Sequence, residues 1–353
     1  MKPKHLIIDC DNLIHRSNYV KTLTDKNGNR TSGIHGVLMS LRSMIKMFKP
    51  ENVICVWDHG RSQERLAMYP GYKANRSKRD PKEREEIERQ KKICYRLINS
   101  LPVVQVRVKC VEGDDIISYM CEKFSGKKLI VSNDHDFIQL VSKDVDIYFP
   151  NKKHKVNINN VEKFIGFPVR YYVLWKSMVG DSSDAISGFR GIGPVRATAI
   201  ILGRLKDGQK FTIGKEEQRI LNRNKYLITM GALLQPSQLK RIEKRCKKQL
   251  DKDINVNSLR PKLLALGFRQ LFHNFDNWAF SFRPYTQNFR SGKLRKEFGK
   301  SLFKNVDGNN KPNSQLFMEI GIDDIKKEND KEDKSKKSNS KKKSKKRKKI
   351  IKR

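Results

Sequence analysis

Three aspartates, Asp9, Asp58 and Asp134, each stand where a short apolar run gives out: His5-Leu-Ile-Ile, Asn52-Val-Ile-Cys-Val-Trp and Lys128-Leu-Ile-Val-Ser. Further acids crowd the segments that follow, with Glu112, Asp114 and Asp115 in one cluster and Asp136 two residues after Asp134. Asp181 and Asp184 are three apart and face the same way on a helix or a turn. Carboxylates gathered within a few ångströms raise one another's pKa and need a countercharge. With oxygen ligands alone, the hard cations Mg²⁺ or Mn²⁺ suit such a set better than zinc. Two such ions activate a water and stabilise the leaving oxygen of a phosphodiester. Any one acid alone reads equally well as a helix cap or a solvated turn. Asp11, Asp144 and Asp146 keep that plainer reading; the set as a whole does not.

Convergence requires a particular frame. The apolar runs at residues 5–9, 52–58 and 128–132 read as strands, joined by those at 103–108 and 144–149. Helical patterns over 36–48, 81–100 and 114–124 separate them, which implies an α/β fold with a mostly parallel sheet flanked by helices. In such a sheet ligands bind at the carboxyl ends of the strands, where these acids fall. From about residue 157 the pattern turns to helices alone, including 169–179 and one opened by Gly193-Pro194. Residues 268–282 are aromatic-rich and are expected to pack back on the core. Beyond Lys326 the chain is nearly all Lys, Ser, Asp, Glu and Asn, and should form a disordered basic tail.

A length of 353 residues allows one sizeable core plus an appended module, or two modest domains. The net charge of +38 carries a heavy self-repulsion that a polyanion would relieve. Nucleic acid is the expected partner, in preference to an anionic membrane, because no amphipathic anchor and no run of about 18 apolar residues is present. No secretory signal opens the chain, so it is expected to stay in the cytoplasm where it is made. The six cysteines form no CxxC pair and are expected to pack as small hydrophobes.

Five segments together resemble the flap endonuclease/5′→3′ exonuclease family: Asp9 in Ile-Ile-Asp-Cys-Asp-Asn, Asp58 in Val-Trp-Asp, Glu112-Gly-Asp-Asp115, Ser132-Asn-Asp-His-Asp136, and Gly180-Asp-Ser-Ser-Asp184 running on to Gly193. The resemblance spans residues 4–290 and implies a PIN-like nuclease core with a helix–three-turn–helix module. It implies one metal site from Asp9, Asp58, Glu112 and Asp114, and a second from Asp134, Asp136 and Asp181. Asp115 and Asp184 would contribute nearby or through water. Both late acids, Asp181 and Asp184, are retained, as an active member requires.

Tyr69-Pro-Gly-Tyr72-Lys73-Ala-Asn-Arg76 is similar to the start of the family's arch helix. There Tyr72 would stack on a terminal base, and Lys73 and Arg76, three apart on a shared helix face, would stabilise charge on the scissile phosphate. Lys78, Arg79 and the basic residues after them would line a path for single-stranded substrate. Gly191-Ile-Gly193-Pro-Val-Arg196 resembles a helix–hairpin–helix turn, whose glycines let backbone N–H groups approach a phosphate. In the family such a turn sometimes holds K⁺. Ser314-Gln-Leu-Phe317 shares three residues with sliding-clamp peptides, too few to assign a clamp or single-strand binding protein as partner.

The expectation is a stand-alone bacteriophage-type 5′-nuclease of replication or repair, acting on 5′ flaps, nicks or RNA primers. Residues 1–165 would be its nuclease core, 166–295 its DNA-binding module and packing segment, and 296–353 a linker and tail. A PIN-type ribonuclease and a DNA-structure-binding protein without catalysis are the alternatives. The turn at 191–197 argues against the first, and the intact acids argue against the second.

Overall fold

Strands covered by helices on both faces are apolar for most of their length, and the central sheet follows that rule, its buried polar residues His5, Asn52, Gln105, Lys128 and Asp146 apart. In the computed structural model, which describes residues 2–20, 23–75, 80–205, 211–292, 295–296 and 318–324, β1 (His5–Asp9) leads into α1 (Cys10–Val20) and α2 (Ser32–Phe48). After β2 (Asn52–Val56) come α3 (Gln63–Met68) and α4 (Pro81–Ile98), then β3 (Val104–Val106) and α5 (Gly113–Lys123). The strands β4 (Lys128–Val131), β5 (Val145–Phe149) and β6 (His154–Val156) complete a sheet of order β3-β2-β1-β4-β5-β6. All neighbours are parallel except β5 and β6.

Strand residues alternate between two cores, as their two-residue period dictates. Ile7, Ile54, Val104, Ile130 and Ile147 face one side, with α5. Leu6, Ile8, Val53, Leu129 and Val131 face the other, with α1, α2 and α4. Five of the six cysteines are buried, and none is in a disulfide.

The later chain is helical apart from one small hairpin. Its helices are α6 (Val161–Ile165), α7 (Tyr172–Val179), α8 (Pro194–Ile201), α9 (Lys215–Ile228) and α10 (Pro236–Leu250). Four short helices end the series: α11 (Leu259–Ala265), α12 (Arg269–His273), α13 (Phe275–Phe280) and α14 (Arg283–Arg290). The hairpin pairs β7 (Gly180–Asp181) with β8 (Ile186–Ser187) between α7 and α8. The expected aromatic segment packs back as foreseen, with Phe268, Phe275, Trp278 and Phe282 buried in the core that contains Leu6 and Ile8. The opposite core extends from Ile7 through Met178, Ile200 and Ile242 to Ile322, so helices beyond residue 165 share it with the sheet.

Chain order sets the functional edge. The path moves outward from β1 to β2 and β3, then returns to place β4 on the other side of β1. The loops leaving β1 and β4 therefore diverge, and a crevice opens at their carboxyl ends. Among the described residues, no helix is long and apolar enough to cross a membrane. The tail beyond Lys326, and Ser314–Phe317, lie outside the described residues.

Candidate active site

Asp9 and Asp134 flank that crevice. Asp9 ends β1, and the Ser132 hydroxyl at the end of β4 donates to its Oδ2 at 2.8 Å. The Asn12 amide donates to Oδ1 of the same carboxylate at 3.0 Å. Asp58, two residues past β2, accepts from the Gly113 amide, while its own amide donates to Asp11 Oδ2 at 2.7 Å. A Cβ at Gly113 would stand 2.8 Å from Asp58 Oδ1 and push that carboxylate from its place. Asp134 caps the following 3-10 turn by accepting from the Asp136 amide at 2.8 Å. The expected convergence of the strand-end acids at one edge is what the parallel register produces.

Mutual repulsion marks how close they stand. Burial, then the charges of Asp11 and Asp58, push the Asp9 carboxyl up to about 8, despite the Asn12 and Ser132 hydrogen bonds. Burial and the charge of Asp58 raise Asp11 to about 7 against the pull of Lys91. Asp114 is raised well above the ordinary range by burial and by Asp134, Asp58 and Asp9 together. Asp136 reaches about 7 through burial and Asp134, with Lys176 opposing.

Lysines and one arginine stand among these acids. Lys73 Nζ lies 2.9 Å from Glu112 and 3.7 Å from Asp184. Lys91 bridges Asp11 and Glu88, and Lys176 bridges Asp136 and Asp181. Burial alone would push Glu112 up, but Lys73 and Arg65, with the hydrogen bonds from Lys73 and Tyr72, hold it below its ordinary value. Among the described residues, no three His, Cys, Asp or Glu side chains are gathered tightly enough to hold a metal ion as they stand. The donors nonetheless fit a divalent cation: they are all carboxylate oxygens, Asp9, Asp114 and Asp136 among them pushed up by burial and by their neighbours' charge, and lysine ammoniums on long, rotatable arms now offset several of them.

Two expectations change in detail. Tyr72 is not a stacking surface: its ring is 2% exposed, and its hydroxyl donates to Glu112 Oε2 at 2.8 Å. It orients that carboxylate and packs beneath Lys73, whose ammonium lies 4.8 Å from the ring centroid. Lys73 is not helical; it occupies a left-handed turn at φ 56°, its amide held by the Asp184 carbonyl at 2.8 Å. That bond ties the loop before α4 to the hairpin carrying the late acids. Arg76, Lys78 and Arg79 lie outside the described residues.

Asp115 also differs. It is 3% exposed and spans Arg65 with both oxygens, while Oδ1 takes the Gly231 amide at 2.8 Å. Arg65 in turn donates to Leu227 O at 3.0 Å. Asp115 therefore joins α3, α5 and the end of α9, in a positioning role. Arg65 and Lys176 were missed as site residues because basic residues are so common in this chain that nothing in their spacing singles them out, and Lys91, expected to line the path for single-stranded substrate, instead pairs with Asp11.

Gly191, Gly193 and Arg196 are exposed at the start of α8. Gly191 adopts φ +73°, and a Cβ at either glycine would meet nothing within 4 Å. Gly193 caps α8 without a side-chain hydrogen bond, so the first amides of the helix face solvent.

Comparison with known proteins agrees with this geometry. A family model described as the 5′-3′ exonuclease N-terminal resolvase-like domain matches residues 4–166. That match covers less than half of the chain. A 5′-3′ exonuclease of Aquifex aeolicus is 29% identical over 199 residues, covering 55% of this chain and 68% of that protein. A 5′-3′ exonuclease of Mycoplasmopsis pulmonis is 28% identical, covering 62% of this chain and 73% of its own length. The thermostable DNA polymerase I of Thermus filiformis, at 28% identity, is matched over 23% of its length, so the chain spans less than a quarter of that relative. A bacteriophage T5 flap endonuclease, solved as a pseudo-enzyme-product complex with DNA and metal ions, superposes with a TM-score of 0.57 at 20% identity. It covers 70% of this chain and 98% of its own. The exonuclease-type domain thus has the PIN-like flap-endonuclease fold.

Proposed function

We propose that the chain is a structure-specific 5′-nuclease that hydrolyses phosphodiesters near a 5′ end in DNA replication or repair, with divalent cations held by its strand-end carboxylates. The observation that carries this reading is the cluster of Asp9, Asp11, Asp58, Asp114 and Asp134 at the switch point of the sheet, in which burial and neighbouring carboxylates push Asp9, Asp11 and Asp114 up. The named relatives are 5′-3′ exonucleases and a DNA polymerase, and the T5 neighbour carries DNA and metal ions. Asp9, Asp58, Glu112 and Asp114 would hold one cation, with Mg²⁺ the natural choice. Asp134, Asp136 and Asp181 would hold the other, with Asp184 nearby. Cations there lower the pKa of a water and neutralise charge on the leaving oxygen.

The chain's own residues divide the remaining work. Lys73, buried between Glu112 and Asp184, lines a cavity of ≈ 240 Å³ with Asp11, Asp58, Arg84 and Lys91. Its ammonium can meet negative charge developing on a phosphate in that cavity. Tyr72 holds Glu112 in place. The exposed amides of α8, with Arg196, would grip a duplex backbone without reading sequence. In this division residues 1–165, joined by Asp181 and Asp184, do the chemistry, and the rest of 166–295 holds the duplex.

The test uses a 5′-flap duplex labelled at either end, in Mg²⁺ or EDTA, with wild type and Asp134→Asn. Asparagine keeps the acceptor that caps the Asp136 amide, so it removes charge while preserving the turn. Metal-dependent cutting near the junction is expected, lost in the variant while binding in EDTA persists. Intact DNA alongside degraded RNA would overturn the proposal in favour of a ribonuclease.

A further inference from the structure

Three cavities are strung along α4. The active-site cavity shares Glu88 with a second, which is lined by Arg89, Lys92 and Arg96. That one shares Arg96 with a third, of ≈ 690 Å³, which lies between the C-terminal part of α4 and α10. The three follow one another along α4 from Arg84 to Arg96, about 18 Å at the helical rise of about 1.5 Å per residue, with Glu85 and Glu88 the acids of the middle one. That length spans about five phosphates at the B-form rise of about 3.4 Å per strand.

The far end is strongly basic. Lys244, Lys247 and Lys248 are all exposed and line the third cavity. Their i, i+3, i+4 spacing puts them on one stripe of α10, which Lys240 extends toward the helix start. The acids nearby are already engaged: Glu243 accepts from the Tyr119 hydroxyl at 2.7 Å, and Asp251 lies 3.2 Å from Arg295. Lys252 has its ammonium against the Val103 carbonyl at 2.7 Å, and burial lowers it to about 7. A phosphate beside it would restore its charge. Nothing in the 5′-nuclease chemistry uses this surface, and the exposed turn at Gly191–Arg196 lies on other elements.

We infer that the cavity between α4 and α10 is a second phosphate-binding tract, taking the sugar–phosphate backbone of a nucleic-acid arm that runs along α4 away from the active site. The inference rests on the nucleic-acid substrate proposed above. It predicts that part of the salt dependence of binding originates on α10. Each phosphate neutralised contributes about 0.9 to the slope of log K against log salt.

The experiment measures binding of a labelled 5′-flap duplex in EDTA across a salt series by fluorescence anisotropy. Wild type is compared with the triple variant Lys244→Gln/Lys247→Gln/Lys248→Gln. A control, Lys46→Gln/Lys262→Gln/Arg269→Gln, removes the same charge from other exposed positions. The α10 variant is expected to lose about 2–3 from the slope, with the control losing less than about 1. Equal losses in both variants would show a net-charge effect and overturn the tract, as would an unchanged slope in the first. Cleavage by wild type is scored separately. Cutting without a slope change sinks the tract alone; a slope change without cutting supports the tract and sinks the nuclease.

Discussion

At the scale of single residues, the site is a charge problem solved in two ways, by protons and by lysines. Asp9, Asp11 and Asp136 are raised to about 8, 7 and 7, whereas aspartates in an unfolded chain titrate near about 4. Between those values the folded chain binds more protons than the unfolded one, so stability falls as pH rises and levels off only above the folded pKa values. The metal-free protein should therefore show a melting temperature that drops between about pH 6 and 8, a drop that a divalent cation flattens. A melting temperature that rises over that interval would refute the electrostatic account. Arg65 makes the complementary case, because its guanidinium serves Asp115, Glu112 and the Leu227 carbonyl while 3% exposed. Arg65→Met would strand buried carboxylates and should cost about 3–5 kcal/mol in urea unfolding. A loss below about 1 kcal/mol would mean that water reaches those acids.

At the scale of elements, the β7–β8 hairpin decides where the late acids stand. Gly180 adopts φ +83°, and a Cβ there would lie 2.4 Å from the Gly188 amide and 2.5 Å from the Ile186 carbonyl. Gly180→Ala should break the hairpin, detach Lys73 from the Asp184 carbonyl and abolish cleavage; near-normal cutting would show that Asp181 and Asp184 need no such scaffold. This hairpin also shows where sequence reading runs out. The five parallel strands were legible as short, mostly apolar runs, and the helices α2, α4 and α5 as longer helical patterns between them. Two-residue strands have no period to detect. Residues 10–20 escaped because Asp11, Asn12, His15 and Arg16 interrupt the apolar spacing, and β6, exposed at its first residue, carries little hydrophobic signal. Asp9, Asp58 and Asp134 were legible for the same reason as the strands, since each follows one, whereas Asp181 and Asp184 were legible through their spacing and the family resemblance. The groups that partner them were not, because only the fold brings Lys91 to Asp11 and Lys176 to Asp136.

At the scale of the whole molecule, basic charge is distributed over surfaces that could each hold a phosphate backbone. Residues 326–353 contain sixteen Lys and Arg against four acids. The segment just before them is tied down: Ile322 is 6% exposed in the core, and the buried Lys225 ammonium donates to the Met318 and Ile320 carbonyls. The anchor rests on α9, beside the hairpin that carries Asp181, because Asn224 of the same helix donates to the Ser187 carbonyl at 2.8 Å. Chain beyond residue 324 therefore starts out next to the elements proposed to grip a duplex, which favours a tether over a mere solubilising extension. Two truncations separate anchor from charge. Removing 326–353 should weaken DNA binding and flatten its salt dependence, leaving the urea midpoint and the single-turnover cleavage rate unchanged. Removing 318–353 should do the same and also destabilise the fold by about 1.5–3 kcal/mol, the worth of one buried isoleucine, with a further loss from leaving Lys225 without those carbonyls. If the shorter truncation leaves the salt slope intact, the tail does not touch nucleic acid, whatever its charge.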